Sequence, residues 1–297
     1  MKDRPGPSAR WRMPAAIRAS IGLHVVAALA VAAVAVERLV IGAWGAWSPA
    51  VLAASVGAIA LNHAVLTLAG LCPRCSLLGG NVTRVPTRPD TAPVVAITID
   101  DGPDPAVTPA VLDLLREAGA HASFFLVAER AKRHPDLVAR IVAEGHSVEN
   151  HTHAHSHAFS FSGPARLRRE IARAQALLTR LAGEPPRFFR APAGLRNPLL
   201  APVLCRLGLP LTSWTRRGFD TVTADPERVL RRLAGDEGRL LAPGDILLLH
   251  DGHAARDRQG DPVILRVLPP LLAACRARGL RPVSLREAFP ESPDPCR

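Results

Sequence analysis

Two long apolar stretches open the chain, and beyond them short apolar runs alternate with segments of helical period. Residues 19–36 contain no Asp, Glu, Lys or Arg; Glu37 and Arg38 interrupt, and residues 39–73 again contain none. A helix needs roughly 20 apolar residues to cross a bilayer. The pattern therefore predicts two membrane-spanning helices, near 19–36 and 48–71, joined by a short turn holding Trp44, Trp47 and Pro49. Tryptophans in such a turn suit a membrane interface. Asn62 and His63 are expected to hydrogen-bond across to the first helix rather than to form a site within the membrane. The basic leader (Lys2, Arg4, Arg10, Arg12, Arg18) followed by an apolar run has the shape of a signal peptide. Its length, and the second apolar run directly behind it, favour an uncleaved hairpin instead. Only Arg38 sits near the turn, while Arg74, Arg84 and Arg88 follow the second span. The positive-inside rule then predicts that both ends, and the domain downstream, face the cytoplasm from a bacterial inner membrane. The expected division is a membrane region at 1–76, a linker at 77–92 marked by Gly79, Gly80, Pro86 and Pro89, and one domain at 93–290.

Within that domain, apolar and often β-branched runs recur at 94–99, 123–127, 146–149, 187–189, 211–214, 246–249 and 282–285. Helical periodicity falls between them. In 108–118 it is carried by Val111, Leu112, Leu114 and Leu115, and in 135–144 by Leu137, Val138, Ile141 and Val142. Segment 164–181 sets Leu167, Ile171, Leu177 and Leu178 against a basic face of Arg166, Arg168, Arg169, Arg173 and Arg180, which is expected to be solvated. Segments 196–207, 226–233 and 263–278 read as three more helices. Seven β/α units in one domain predict an α/β fold closed into a (β/α)7 barrel.

Composition narrows the function. The 297 residues are 48% hydrophobic, 21% charged and 4% aromatic, which supplies a sizeable core. There is no tyrosine, which argues against an aromatic sugar-stacking lectin or a nucleic-acid stacking platform. The net charge of +11 comes almost entirely from arginine, spread along the whole chain, and no base-recognition motif accompanies it. Nucleic acid is therefore not expected as a partner. The five cysteines suggest no disulfide framework: Cys72 and Cys75 form a lone CxxC, while Cys205, Cys275 and Cys296 are scattered. That odd count fits a reducing compartment.

In a barrel of this kind, function gathers on the loops after the carboxyl ends of the strands. The polar residues that stand out fall there: Asp100 and Asp101 after the first strand, ENHTHAHSH after the third, Arg190 after the fourth, Asp220 after the fifth, and His250 with Asp251 after the sixth. Asp-Asp-Gly-Pro is by itself an ordinary turn and helix start. Alternating histidines can be a polar strand edge, and a histidine ending an apolar strand is often a core residue. Imidazoles four apart can also present two ligands to one metal, and both His151 with His155 and His153 with His157 have that spacing.

Taken together in this order, the segments resemble the NodB-type polysaccharide deacetylases, carbohydrate esterase family four. The resemblance rests on Thr98-Ile99-Asp100-Asp101-Gly102, His151-Thr152-His153-Ala154-His155, Arg190-Ala191-Pro192-Ala193-Gly194, the segment from Trp214 to Asp220, and Leu248-Leu249-His250. It covers about two thirds of the chain. It implies a distorted barrel, a divalent metal, usually zinc, and hydrolysis of an N-acyl group on an amino sugar. Asp101, His151 and His155 would hold the metal. Asp100 would be the general base, Arg190 its partner, His250 the general acid and Asp220 the group positioning His250. Pro192, Gly194, Trp214, Arg217 and Leu248 would contact substrate.

Two departures from the family pattern matter. Ile99 replaces the usual phenylalanine, a packing change. Thr221 follows Asp220 where tryptophan is usual, so an aromatic wall is absent or is supplied by Phe219 or Trp214. Arg216 and Arg217 add positive charge near the mouth. That favours an anionic, phosphate- or lipid-linked saccharide over a long neutral polymer. The competing readings are a catalytically inert binding protein on the same barrel, and a charge-driven binder of nucleic acid or anionic membrane.

Overall fold

The structure, a computed structural model, describes residues 11–42, 47–87, 92–235 and 240–296. Lys2, Arg4 and Arg10 of the leader, Trp44 of the turn, and Arg88 and Pro89 of the linker lie outside the described residues.

Helices α1 (Ala15–Ile41) and α2 (Ser48–Leu71) form an antiparallel hairpin. Both are long and apolar enough to cross a membrane. Val25, Val26, Leu29, Leu61 and Leu68 point outward, as an element facing hydrocarbon requires. The polar side chains turn inward and pair: Asn62 Nδ2 donates to Ser20 Oγ at 2.9 Å, and Ser48 Oγ donates to Glu37 Oε2 at 2.8 Å. The His24 and His63 rings meet edge to face, 5.2 Å between centroids. Asn62 thus makes the cross-helix bond that its place in an apolar span predicts.

The domain is a ring of parallel strands wrapped by helices. In chain order its elements are β1 (Val94–Asp100), α3 (Thr108–Glu117), β2 (Ser123–Leu126), α4 (Ala128–Arg133), α5 (Pro135–Ala143), β3 (Ser147–Asn150), α6 (Pro164–Ala182), α7 (Leu200–Leu207), β4 (Arg216–Arg217), α8 (Pro226–Ala234), β5 (Ile246–His250), α9 (Val263–Ala277), β6 (Arg281–Val283) and α10 (Leu285–Ala288). β1 lies at the centre with β2 and then β3 on one side, and β5 and then β4 on the other, all parallel. Single bridges close the ring: Asn150 pairs with Phe189, Phe189 with Leu211, and the chain from Leu211 runs on into β4. The fourth and fifth strands of the periodic pattern are therefore present but shrunk to isolated pairings, which distorts the barrel. The seventh, β6, pairs with the first residues of β1 beside β2 rather than entering the ring between β5 and β1. Helices cover both flanks, so β1 is buried almost throughout, and its unbroken apolar run follows from burial on both faces. The basic face of α6 is exposed at all five of its arginines, as its periodicity predicts.

The segment read as a linker is docked on the domain. Leu78 and Val85 are buried, Val82 pairs with Thr212, and the Val85 N–H donates to Gly244 O at 2.8 Å.

One sequence expectation is corrected. The cysteines are not all unpaired: Cys205, at the end of α7, is disulfide-bonded to Cys296, 91 positions on. Spacing could not reveal a bridge between a helix and a terminal segment so far apart in the chain. Closing a loop of that length stabilises the fold by up to about 4 kcal/mol through loss of unfolded-chain entropy. Cys296→Ser should lower the unfolding free energy by about that amount under oxidising conditions and have little effect with a reductant present, as read by denaturant titration of the full chain in detergent.

Candidate active site

The carboxyl ends of β1, β3 and β5, with the loops after Phe189 and Leu211, converge on one mouth with a volume of about 240 Å³. It is lined by Asp100, Asp101, His151, His155, His157, Ala193, Gly194, Trp214, Arg217, Thr221, Leu248, His250 and His253. Parallel register explains the convergence: Asp100 and His250 are direct partners at the ends of adjacent strands. The backbone there is strained. The five non-glycine residues at positive φ among the described residues are Asp101, Thr152, His155, Ala193 and Phe219, all in loops of this mouth. Such conformations persist only where surrounding contacts enforce them.

Arg190 is a deeply buried charge. Its side chain is 1% exposed and its guanidinium lies 4.0 Å above the Phe125 ring. Nη1 donates to Asp100 Oδ1 at 2.6 Å and to Thr98 Oγ1 at 2.9 Å; Nε and Nη2 donate to the carbonyls of Thr212 and Ser213. Thr98 Oγ1 donates onward to Leu247 O. One side chain therefore ties β1, β5 and the 211–214 segment together. Burial acts to lower the guanidinium pKa, and Asp100 opposes it.

Beside this pair, the Nε2 atoms of His151 and His155 lie 3.2 and 3.1 Å from Asp101 Oδ1. The His151 Nδ1–H donates to the Arg190 carbonyl at 2.9 Å. That bond assigns the tautomer and leaves His151 Nε2 as a bare lone pair aimed at a carboxylate oxygen. Asp101 Oδ1 is itself buried without a hydrogen-bond partner. Acceptors facing one another in a buried site are what a cation between them would resolve, so Asp101, His151 and His155 fit a divalent metal. The alternative pair is split in space. His153 turns toward Glu129 in a separate cleft, while His157 stays at the mouth.

His250 ends β5. Asp220 Oδ1 lies 2.8 Å from its Nδ1, and Oδ2 accepts its backbone N–H at 2.7 Å. The imidazole thus gives its Nδ1–H to a fully buried carboxylate, and Nε2 is the nitrogen left for other chemistry. Burial acts to lower the His250 pKa, but Asp220, with smaller help from Asp100 and Asp101, raises it above the ordinary 6.5.

Of the residues expected to touch substrate, Gly194, Trp214, Arg217 and Leu248 line the mouth. Pro192 does not: it is buried, and it starts the tight turn that presents Ala193 and Gly194. Gly194 has φ 73°, and a Cβ there would meet Trp214 at 2.6 Å and Pro73 at 2.7 Å, so no larger residue fits. Trp214 stands at the mouth with Thr221, while Phe219 turns to an outer cleft.

Two contributors, His253 and Arg130, escaped the sequence reading, and Asp251, singled out after the sixth strand, had no role assigned to it. His253 Nδ1 lies 3.0 Å from Asp101 Oδ2. Arg130 donates to Asp101 O at 2.7 Å and approaches His253 Nε2 at 2.8 Å. Asp251, pushed up to about 7 by burial, packs against Gly102 and accepts from Thr108. The histidine three residues after His250 was the available signal; nothing in the sequence points to Arg130.

The sequence profile described as polysaccharide deacetylase matches residues 87–212. A peptidoglycan-N-acetylglucosamine deacetylase of Bacillus cereus is 34% identical over 201 residues, spanning 67% of this chain and 89% of that protein. The chain belongs to the polysaccharide deacetylase family. A chitooligosaccharide deacetylase of Azorhizobium caulinodans is also 34% identical, over 62% of this chain and 89% of its own length. The solved structure of a peptidoglycan N-acetylglucosamine deacetylase, in complex with an N-oxidanyl-benzamide compound, superposes with a TM-score of 0.62 at 29% identity, covering 72% of this chain and 94% of that one. These relatives, named as deacetylases of peptidoglycan and of chitooligosaccharides, put the chain among hydrolases of carbon–nitrogen bonds.

Removing Arg190 would strand the buried Asp100 charge. Arg190→Leu should cost about 3 to 5 kcal/mol of stability. Adding Asp100→Asn should restore a measurable part of the loss, which a double-mutant cycle in denaturant reads directly.

Proposed function

We propose that this protein is a membrane-anchored, zinc-dependent N-deacylase of an amino sugar in an envelope polysaccharide or a lipid-linked saccharide. The observation that carries this reading is the opposed set of Asp101, His151 and His155 acceptors beside the Asp100–Arg190 pair and the Asp220–His250 pair. Two imidazoles and one carboxylate suit zinc and leave positions open for water and substrate. A metal held there supplies Lewis acidity, polarising the amide carbonyl and acidifying a water.

The chain's own residues do the rest. Asp100 accepts a proton from the attacking water, and Arg190 fixes the carboxylate that does so. The water oxygen bonds to the acyl carbon, and the carbon–nitrogen bond breaks. His250 Nε2–H gives its proton to the departing amine, while Asp220 holds Nδ1–H and keeps the ring turned. The products are a carboxylate and a free amino sugar. Trp214 and Leu248 form the apolar wall for the acyl group, with Gly194 and Arg217 on the sugar side.

The hairpin anchors the domain to a bilayer. The leader and turn charges favour the cytoplasmic face for the domain. The Cys205–Cys296 bond runs against that placement, because cytoplasmic thiols are kept reduced. A reporter fused to the carboxyl terminus decides between them: cytoplasmic activity is the outcome predicted by charge, and export contradicts it.

The full chain in detergent, loaded with zinc, should release acetate from an N-acetylated chito-oligosaccharide. Asp100→Asn should lower kcat by about a hundredfold to ten-thousandfold with the metal retained. His151→Ala should lose the metal as well. Intact metal binding with no turnover on any N-acylated sugar would favour an inert barrel.

The pH profile tests His250. Protonated imidazole is the active form, so kcat falls as pH rises through its raised pKa. Asp220→Asn removes the main charge that raises it, and should move the alkaline limb to lower pH. An unmoved limb would take His250 out of the acid role.

A further inference from the structure

A second and larger cleft of about 660 Å³ lies against the catalytic mouth and shares Ala193, Trp214 and Arg217 with it. Its near wall is the chain leaving α2: Leu71, Pro73 and Arg74. That segment is fastened to the active-site loops. The Arg196 N–H donates to Gly70 O at 3.1 Å, Arg74 Nη1 to Thr215 O at 3.1 Å, and Ser213 Oγ to Pro73 O at 2.6 Å. The cleft therefore opens where the second apolar helix meets the domain, one side chain away from the catalytic residues.

Its chemistry is that of an anion site with an apolar border. Arg74, Arg216, Arg217, Arg231 and Arg232 line it, and no described carboxylate does. Arg216 pairs with Asp245, and Arg232 is held by Gly218 O and Thr223 Oγ1, so these two build the wall. Arg217, Arg231 and Arg74 keep capacity for a ligand. The Arg217 guanidinium stacks between Trp214 and Phe219, at 5.5 and 4.8 Å, with Nε buried and without a hydrogen-bond partner. Arg231 is well exposed, and among the described residues its one ion pair is a long contact with Glu227 at 3.8 Å. Arg74 is exposed, and among the described residues its guanidinium makes one bond, to a carbonyl. Guanidinium forks match phosphate oxygens in pairs, whereas a neutral glycan offers them nothing to neutralise. Leu71, Pro73, Leu195 and Trp214 supply apolar surface leading back to α2.

We propose that this cleft binds the phosphate of a phosphate-linked amino sugar, on Arg217, Arg231 and Arg74. The lipid on the far side of that phosphate runs along Leu71 toward the bilayer, and the sugar amide reaches the mouth past Trp214. The proposal rests on the deacylase reading for the fate of the sugar, but not for its binding.

The test uses the full chain, zinc-loaded, in nanodiscs. Two substrates share the same alkyl chain: an N-acetylglucosaminyl alkyl phosphate diester and the uncharged alkyl N-acetylglucosaminide. Binding of each is measured alongside acetate release. The phosphate diester should be preferred at least about tenfold in kcat/KM and in affinity, and Arg231→Gln and Arg74→Gln, both at exposed positions, should each cut that preference several-fold. Arg231→Lys should restore part of it. Turnover of both substrates without preference overturns the phosphate site and leaves the deacylase standing. Phosphate-dependent binding without turnover of either supports the site and defeats the deacylase reading. Equal stimulation of both substrates by anionic over zwitterionic nanodiscs would assign the arginines to bilayer headgroups and overturn the substrate site.

Discussion

The buried contact between Arg190 and Asp100 governs the rest of the domain. A guanidinium 1% exposed cannot stand alone, and its donors lock two segments together. Thr98 and Asp100 come from β1, and Thr212 and Ser213 from the segment that replaces a regular strand. The barrel is weakest there, since Phe189 and Leu211 contribute only single bridges to the ring. The side chain thus closes by hydrogen bonds a gap that strand pairing leaves. The same contact orients the carboxylate beside the candidate metal site, so fold closure and chemistry share one ion pair.

Two further pairs extend that arrangement. The Arg190 carbonyl fixes the His151 tautomer, which turns a bare nitrogen toward Asp101. Asp220 fixes His250 in the same way from the opposite wall. In each case a buried acceptor decides which imidazole nitrogen faces the mouth. Positive-φ residues at Asp101, Thr152, His155, Ala193 and Phe219 present these groups at angles that regular strands would not allow.

Much of this was legible in the chain. The alternation of apolar runs and helical segments predicted the parallel barrel, because burial on both faces leaves continuous apolar strands. The polar residues after those strands could be placed together, because parallel strands put their carboxyl ends on one face. What was not legible depended on contacts between distant segments. Cys205 meets Cys296 only once α7 and the carboxyl-terminal segment pack together. Pro73 touches Gly194 only because the chain after α2 folds back on the mouth. Arg130 belongs to a helix whose periodicity says nothing about Asp101, and Pro192, counted with its motif, acts through the turn it starts. Residues 187–189 carry a strand-like sequence yet make single bridges, since ring closure and not propensity limits pairing there.

On the proposed reading, Asp101, His151 and His155 are held apart to take one metal ion. Anomalous diffraction at the zinc edge, on crystals of the full chain grown with zinc, tests it most directly. The account predicts a single strong peak within bonding distance of Asp101 Oδ1 and the Nε2 atoms of His151 and His155. No peak there, or a peak bound by His153 or His157 instead, would contradict it.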